Sequence, residues 1–253
     1  MISGNTVYNI SSFYNPAYAG SYSADGIYVD GGTRIVIERN RIYHTDIGIE
    51  VASENPGNQI PGVENSSYVT VRNNLIYWNY SVGVSIGGYD NTRGGAAFCN
   101  IVNNTLFQND TMQTGSGEFQ VQYFSSHNVF ANNILFANSQ GLFVNSYTRS
   151  TQAPITADYN LFFSGSLSVP SVFVWGGHTY AGLPQYRSAS NEDLHSLASD
   201  PKFVVLSTPN LHLQLGSPAL NSGEMLPGTV GTSDYAGNPR TRNNTIDIGA
   251  YED

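Results

Sequence analysis

A single lysine, Lys202, and a single cysteine, Cys99, stand among 253 residues, and charged side chains make up only 11% of the chain. One thiol excludes an intrachain disulfide and any multi-cysteine zinc pattern. Cys99 also falls where Val69 and Ile35 fall in neighbouring repeats, which makes it a buried apolar residue, not a nucleophile. The scarcity of cations, with a net charge of −9, excludes the basic stripe that a nucleic-acid binder needs. No apolar run is long enough to span a membrane, and none reads as a leader. Met1 opens at once on Ile2-Ser3-Gly4-Asn5, the end of a repeat already under way. The chain therefore reads as the C-terminal portion of a longer protein.

What is present is a phrase written six times: Asn, any residue, a branched or aromatic apolar residue, then Tyr or Phe. The copies begin at Asn5, Asn40, Asn74, Asn104, Asn133 and Asn160, at intervals of 27 to 35 residues. A period in this range marks stacked repeats. Most copies follow a short alternating run such as Tyr68-Val69-Thr70-Val71-Arg72. Alternation with β-branched residues argues for strands. A strand-built solenoid with Asn at one fixed corner is a parallel β-helix. Each Asn amide is expected to bond its counterparts one strand spacing above and below. The fold class is all-β, a single-stranded parallel β-helix of about six coils over residues 1–176. Residues 177–253 lose the rhythm and read as an irregular C-terminal cap, with a short helix around Ala181–Tyr186. An uncapped first coil, Ile2–Tyr8, leaves edges that either pair with another chain or lie under the loop at 11–24.

A second recurring strand begins Gly26-Ile27-Tyr28-Val29-Asp30. Its second and fourth members point inward, so its third and fifth face out. Stacked, they give two outward columns. One runs Tyr28, Glu50, Ser85, Gln120, Phe143, Phe173; the other runs Asp30, Ala52, Gly87, Gln122, Asn145, Trp175. The face is acidic at its N-terminal end and aromatic at its C-terminal end. Loops at 53–66 (with Glu54, Pro56, Pro61 and Glu64) and 87–96 (with Asp90 and Arg93) wall it. Such a face suits an extended polysaccharide: Tyr28, Ser85 and Gln120 would meet hydroxyls, and Phe143 and Trp175 would stack on sugar rings. Asp25, Asp30, Asp46, Glu50 and Glu54 are the densest acidic group. Asp30, Asp46 and Glu50 are the candidate catalytic carboxylates, joined by Arg93. Asp25, Asp30, Glu50 and Glu54 are the candidate ligands for Ca2+, which takes carboxylate oxygens. The plainer reading is that Asp25 and Asp46 hold turns and Glu50 is a solvated face residue.

The C-terminal motifs carry a resemblance. Asp158-Tyr159-Asn160-Leu161, Asp200-Pro201-Lys202-Phe203, Leu211-His212-Leu213 through Ser217-Pro218-Ala219-Leu220, Asp234-Tyr235-Ala236-Gly237-Asn238-Pro239-Arg240 and Asp247-Ile248-Gly249-Ala250-Tyr251-Glu252 occur in this order. Together they resemble the C-terminal region of bacterial right-handed parallel β-helix proteins with a choice-of-anchor type ending, in the pectate-lyase-like superfamily. The resemblance implies right-handed winding and a secreted or surface-displayed protein. It also implies a polysaccharide lyase or glycoside hydrolase, with a non-catalytic adhesive or structural protein as the alternative. Asp234, Arg240, Asp247 and Glu252 are expected to tie the cap together. Gly83-Val84-Ser85-Ile86-Gly87 is faintly similar to a polygalacturonase strand. It lacks that family's preceding paired aspartates and His, so no catalytic residue is carried over.

Overall fold

The computed structural model describes residues 1–54, 65–146, 154–166 and 168–253. Among these, three long stacks of parallel strands and one short stack (Asn65–Ser67, Gly95–Ala97 and Ser125–Ser126) wrap one core. A back sheet runs through Ile2–Ser3, Val36–Glu38, Thr70–Arg72, Asn100–Val102, Asn128–Ala131 and Ile155–Asp158. A flank sheet runs through Thr6–Ile10, Arg41–Thr45, Leu75–Tyr77, Thr105–Phe107, Ile134–Phe136, Leu161–Phe163 and Leu197–Ala198. A front sheet runs through Asp25–Asp30, Ile47–Ala52, Val82–Ile86, Phe119–Val121, Leu142–Ser146 and Val172–Trp175, with His178–Ala181 folded back antiparallel at its end. Each strand pairs with its equivalent one coil on, which is the parallel β-helix that the repeats predict. Inward residues come from all three sheets, for example Ile37, Ile42 and Ile49 in one coil, each fully buried. Cys99 lies in this core, and burial pushes its thiol up to about 11, out of nucleophilic range.

The Asn phrase is a ladder. Nδ2 of Asn5, Asn40, Asn74, Asn104 and Asn133 donates to Oδ1 of the next Asn at 2.9–3.1 Å. Backbone N–H groups donate to the same oxygens. The residue before each internal Asn (Arg39, Asn73, Asn103, Asn132, Tyr159) turns the corner at φ 53–58°. The ladder has a direction, since every amide donates towards the C-terminus. Its last member therefore needs an acceptor, and Asn160 Nδ2 ends on the buried Asp193 carboxylate at 2.9 Å. A second ladder follows the same rule. Thr45 donates to Asn79, Asn79 to Asn109, and Asn109 ends on the buried Glu118. Burial pushes the Glu118 carboxyl up to about 8 and Asp193 to about 6, against the pull of these donors.

The C-terminal region does two separate jobs. The helix Leu183–Ser190 closes the end of the core: Tyr186 stacks on Phe173 at 4.5 Å, and Leu183 is buried beside it. Residues 200–253 do not close that end. They run back along the flank sheet, where Phe203, Leu211 and Tyr251 cover Tyr77, Phe107 and Phe136. The reason is in the phrase itself. Its third residue points inward, so its aromatic fourth residue points out and needs a second cover.

Corner asparagines clip this cover down. Asn73 donates to the carbonyls of Val230 and Ser233, Asn103 to that of Asp247, and Asn132 to that of Glu224. Arg240 is fully buried; it donates to the Asp247 carbonyl at 2.6 Å and pairs with Glu252 at 3.3 Å. The Asp234 carboxylate accepts from the backbone of Asn238 and Glu252. The four charged residues expected to tie the cap do so. Arg240→Ala should cost about 3–5 kcal/mol by stranding buried acceptors and a carboxylate. Denaturant unfolding measures this; a cost under about 1 kcal/mol would show that the latch is dispensable.

Candidate functional site

The outward face of the front sheet carries the predicted acidic end. Tyr28 pairs with Glu50 across adjacent strands, and Ser85 sits beyond Glu50. Asp25 lies at the start of the same strand as Tyr28. Glu50 is 9% exposed and Asp25 partly buried. The two carboxyl groups lie within interaction range and titrate as a pair. Burial, then the neighbouring charges of Asp46 and Glu54, push Asp25 up to about 7 against the pull of Glu50. Burial, then the Asp25 charge, drive Glu50 well above the usual carboxylate range. The pair thus holds a proton at neutral pH. It can give one up and take one back, which is what acid–base work requires.

Glu54 is the hub of the rim. Its carboxylate accepts from the Tyr28 hydroxyl at 3.4 Å and pairs with Arg93 Nη1 at 3.2 Å. Its backbone N–H donates to Asp30 Oδ1 at 2.7 Å. Arg93 also donates to the Glu54 carbonyl and lies 4.0 Å from Asp90. The structure therefore brings Asp25, Tyr28, Asp30, Glu50, Glu54 and Arg93 to one end of one face. Among the described residues, no three carboxylate, imidazole or thiol groups are arranged to hold a metal ion. Pro56, Pro61 and Glu64 lie outside the described residues.

Asp46 has a different task. Its Oδ2 accepts from the backbone N–H of Ser12, Ser23 and Ala24 and from the Ser12 hydroxyl, at 2.7–3.0 Å. It is the anchor of the 11–24 loop. Asp110 repeats the device two coils on: it gathers four backbone N–H groups of residues 114–117. Asp110 was not singled out from the sequence, although it stands one residue past the second ladder, as Asp46 does. Asp46→Ala should cost about 2–3 kcal/mol, with cleavage of the 11–24 loop by protease speeding up first. Unchanged protection of that loop would refute its role as anchor.

The aromatic end of the face is corrected. Phe143 is fully buried, packed on Phe162 and Phe173. The strand Leu142–Ser146 carries a bulge between Leu142 and Val144, so three consecutive residues turn inward and the alternation slips by one. Asn145, not Phe143, follows Gln120 in the outward column, and Val174 follows Asn145. Trp175 packs against the core and meets Tyr186 edge-on at 5.8 Å. Phe143 offers no face to a sugar, whereas Trp175 stays partly exposed. Ser85 is fully covered, and Gln120 accepts from the Ser85 hydroxyl and from Gln122. His44 stacks against Trp78 and Tyr80 at the corner.

Comparison with known proteins agrees with this architecture. Residues 1–183 match the family model described as the right-handed β-helix region. The chain is also similar to an uncharacterized protein, YwoF, of Bacillus subtilis (strain 168): 35% identical over 199 residues, 78% of this chain and 41% of that protein. The chain thus spans about two-fifths of the length of this relative. No helix among the described residues is long and apolar enough to cross a membrane. On its repeats, its stacked sheets and this match, the chain belongs to the right-handed parallel β-helix family.

Proposed function

We propose that this β-helix acts on an extended polysaccharide outside the cell, with Asp25 and Glu50 as a proton-transferring pair. The observation that carries the reading is two carboxyl groups on adjacent strands of one sheet, each raised by burial and by its neighbour's charge. Such a coupled pair acts as one acid–base unit. It would protonate a glycosidic oxygen and take a proton from the attacking water. Asp30 and Arg93 hold Glu54 and the Tyr28 hydroxyl beside it. A lyase reading would use the same base against a uronate. An adhesive reading draws on the mutually bonded Ser85, Gln120 and Gln122, which form a static amide ladder.

The test is product release from neutral and uronic polysaccharides, followed as new reducing ends and as unsaturated-product absorbance, with calcium and with chelator. Glu50→Gln should lower turnover about 10²–10⁴-fold. Unsaturated product would assign a lyase, and a calcium requirement would restore the metal proposal. Binding without product from any polymer would establish adhesion.

A further inference from the structure

A second feature lies around one corner from the carboxyl pair, on the flank sheet. The cover formed by residues 200–253 stops there. Tyr77 in the third coil is buried under it, whereas Arg41 in the second coil is exposed and Tyr43 is half-buried. Tyr8, Tyr43 and Tyr77 stack face to face at 5.1–5.2 Å, with rings within 5° of parallel. Arg41 lies along this stack. Its guanidinium carbon is 5.1 Å from the Tyr43 ring centre and 5.5 Å from that of Tyr77, and its Nε donates to the Tyr77 hydroxyl at 2.5 Å. Tyr235, at the edge of the cover, lies within electrostatic reach of Arg41 and meets Tyr251 edge-on at 5.3 Å.

The cation is held but not neutralised. Arg72, Arg93 and Arg240 each pair with a glutamate, and Arg187 and Lys202 donate to backbone carbonyls. Among the described residues, Arg41 has no carboxylate partner, and its two Nη groups donate to nothing. This occurs in a chain of net charge −9. A planar fork fixed by stacking and by one hydrogen bond, with its two outer nitrogens open, is preorganised for a carboxylate. Burial raises the Tyr77 and Tyr235 phenols above their ordinary value, so both remain protonated beside it.

We infer that this step on the flank sheet is a binding site for the carboxylate of an acidic sugar in a polysaccharide, with Arg41 as its anchor. A sugar fits better than an acidic peptide. The wall offers phenol side chains, Tyr8 at 51% exposure and Tyr43 half-buried, repeating at about one strand spacing, near 4.8 Å, with aromatic surface for a sugar ring. The inference shares with the proposed function the polysaccharide ligand, but not catalysis on the front sheet.

The test is equilibrium binding of the full chain to three probes: oligogalacturonate, the same oligomer methyl-esterified, and poly-glutamate. Wild type should bind oligogalacturonate, and added salt should weaken the complex. Arg41→Gln should weaken it at least tenfold with its melting temperature unchanged. Arg41→Lys, which keeps the charge but loses the fork, should fall between. Esterification should reproduce the Arg41→Gln loss. In a Glu50→Gln background, Arg41→Gln should weaken binding by the same factor as in wild type, so failure of catalysis and failure of this site are separable. Equal binding by wild type and Arg41→Gln, equal binding of the ester, or no binding of oligogalacturonate would overturn the inference. Tighter binding of poly-glutamate would reassign the site to an acidic peptide.

Discussion

Asp25→Asn should make the protein more stable at pH 8 while removing the proposed activity. In the unfolded chain Asp25 ionises near its ordinary value of 3.8; in the fold its carboxyl is pushed up to about 7. Between those values the folded state keeps a proton that the unfolded state has released. Stability therefore falls as pH rises through this window and levels off above about pH 7. Each pH unit is worth about 1.4 kcal/mol, so the full window caps the loss at roughly 4 kcal/mol. Asparagine carries no charge to desolvate and escapes the loss. At about 2–4 °C per kcal/mol for a chain of this size, the variant should melt several degrees above wild type at pH 8 and level with it near pH 4. Glu118, Glu192 and Glu252 are also raised, to about 8, 7 and 7, and tilt the wild-type curve the same way. Only the difference between variant and parent isolates Asp25. Parallel melting curves across the pH range would show that the pair holds no proton. A site that loses stability to keep a desolvated acid is a familiar compromise between stability and activity.

Asn104→Ala should come close to unfolding the protein. This side chain donates to Asn133 Oδ1 and to the carbonyls of Val71 and Val102, and accepts from the Asn74 backbone and amide. All of it is buried. Alanine leaves several polar groups without partners, each at about 1–3 kcal/mol. The sum, about 5 kcal/mol, is comparable to the whole stability of many domains. Asn5 is the internal control. It stands exposed and donates to Asn40 and the Ser3 carbonyl, so Asn5→Ala should cost only about 1 kcal/mol. Denaturant midpoints and slopes distinguish the two. A broken middle rung should also lower the slope, because coils on either side then unfold separately. Equal costs at positions 5 and 104 would mean that the ladder does not hold the coils together.

The two substitutions differ in how visible their sites were beforehand. Asn104 belongs to a rule repeated in every coil, and a repeated local rule can be read from one chain. The coupling of Asp25 and Glu50 cannot. Adjacent coils place both carboxylates on one face, but only the degree of burial decides whether they titrate as a pair or sit solvated. Burial depends on what covers the face.

The misplaced residues follow the same logic. Phe143 and Trp175 were assigned outward by strict alternation, which holds only while the register holds. One extra residue at the Leu142–Val144 bulge reversed the parity, and no turn residue in that strand announces it. Asp46 was weighed both as a catalyst and as a turn-holder; four hydrogen bonds to the 11–24 loop settle its position as an anchor. Arg41 drew no notice, because its surroundings come from Tyr77, a coil away, and Tyr235, nearly two hundred residues away.

The sequence by itself determined the coil, its corners, its inward residues and the acidic end of one face. All of these follow from a local pattern repeated with a nearly constant period, each copy meeting the next at one strand spacing. The tertiary structure alone decided where the C-terminal region lies, which carboxyl groups are buried beside each other, and how Arg41 is stacked on tyrosines with no carboxylate partner. Those depend on long-range packing and desolvation, which one coil's residues do not encode.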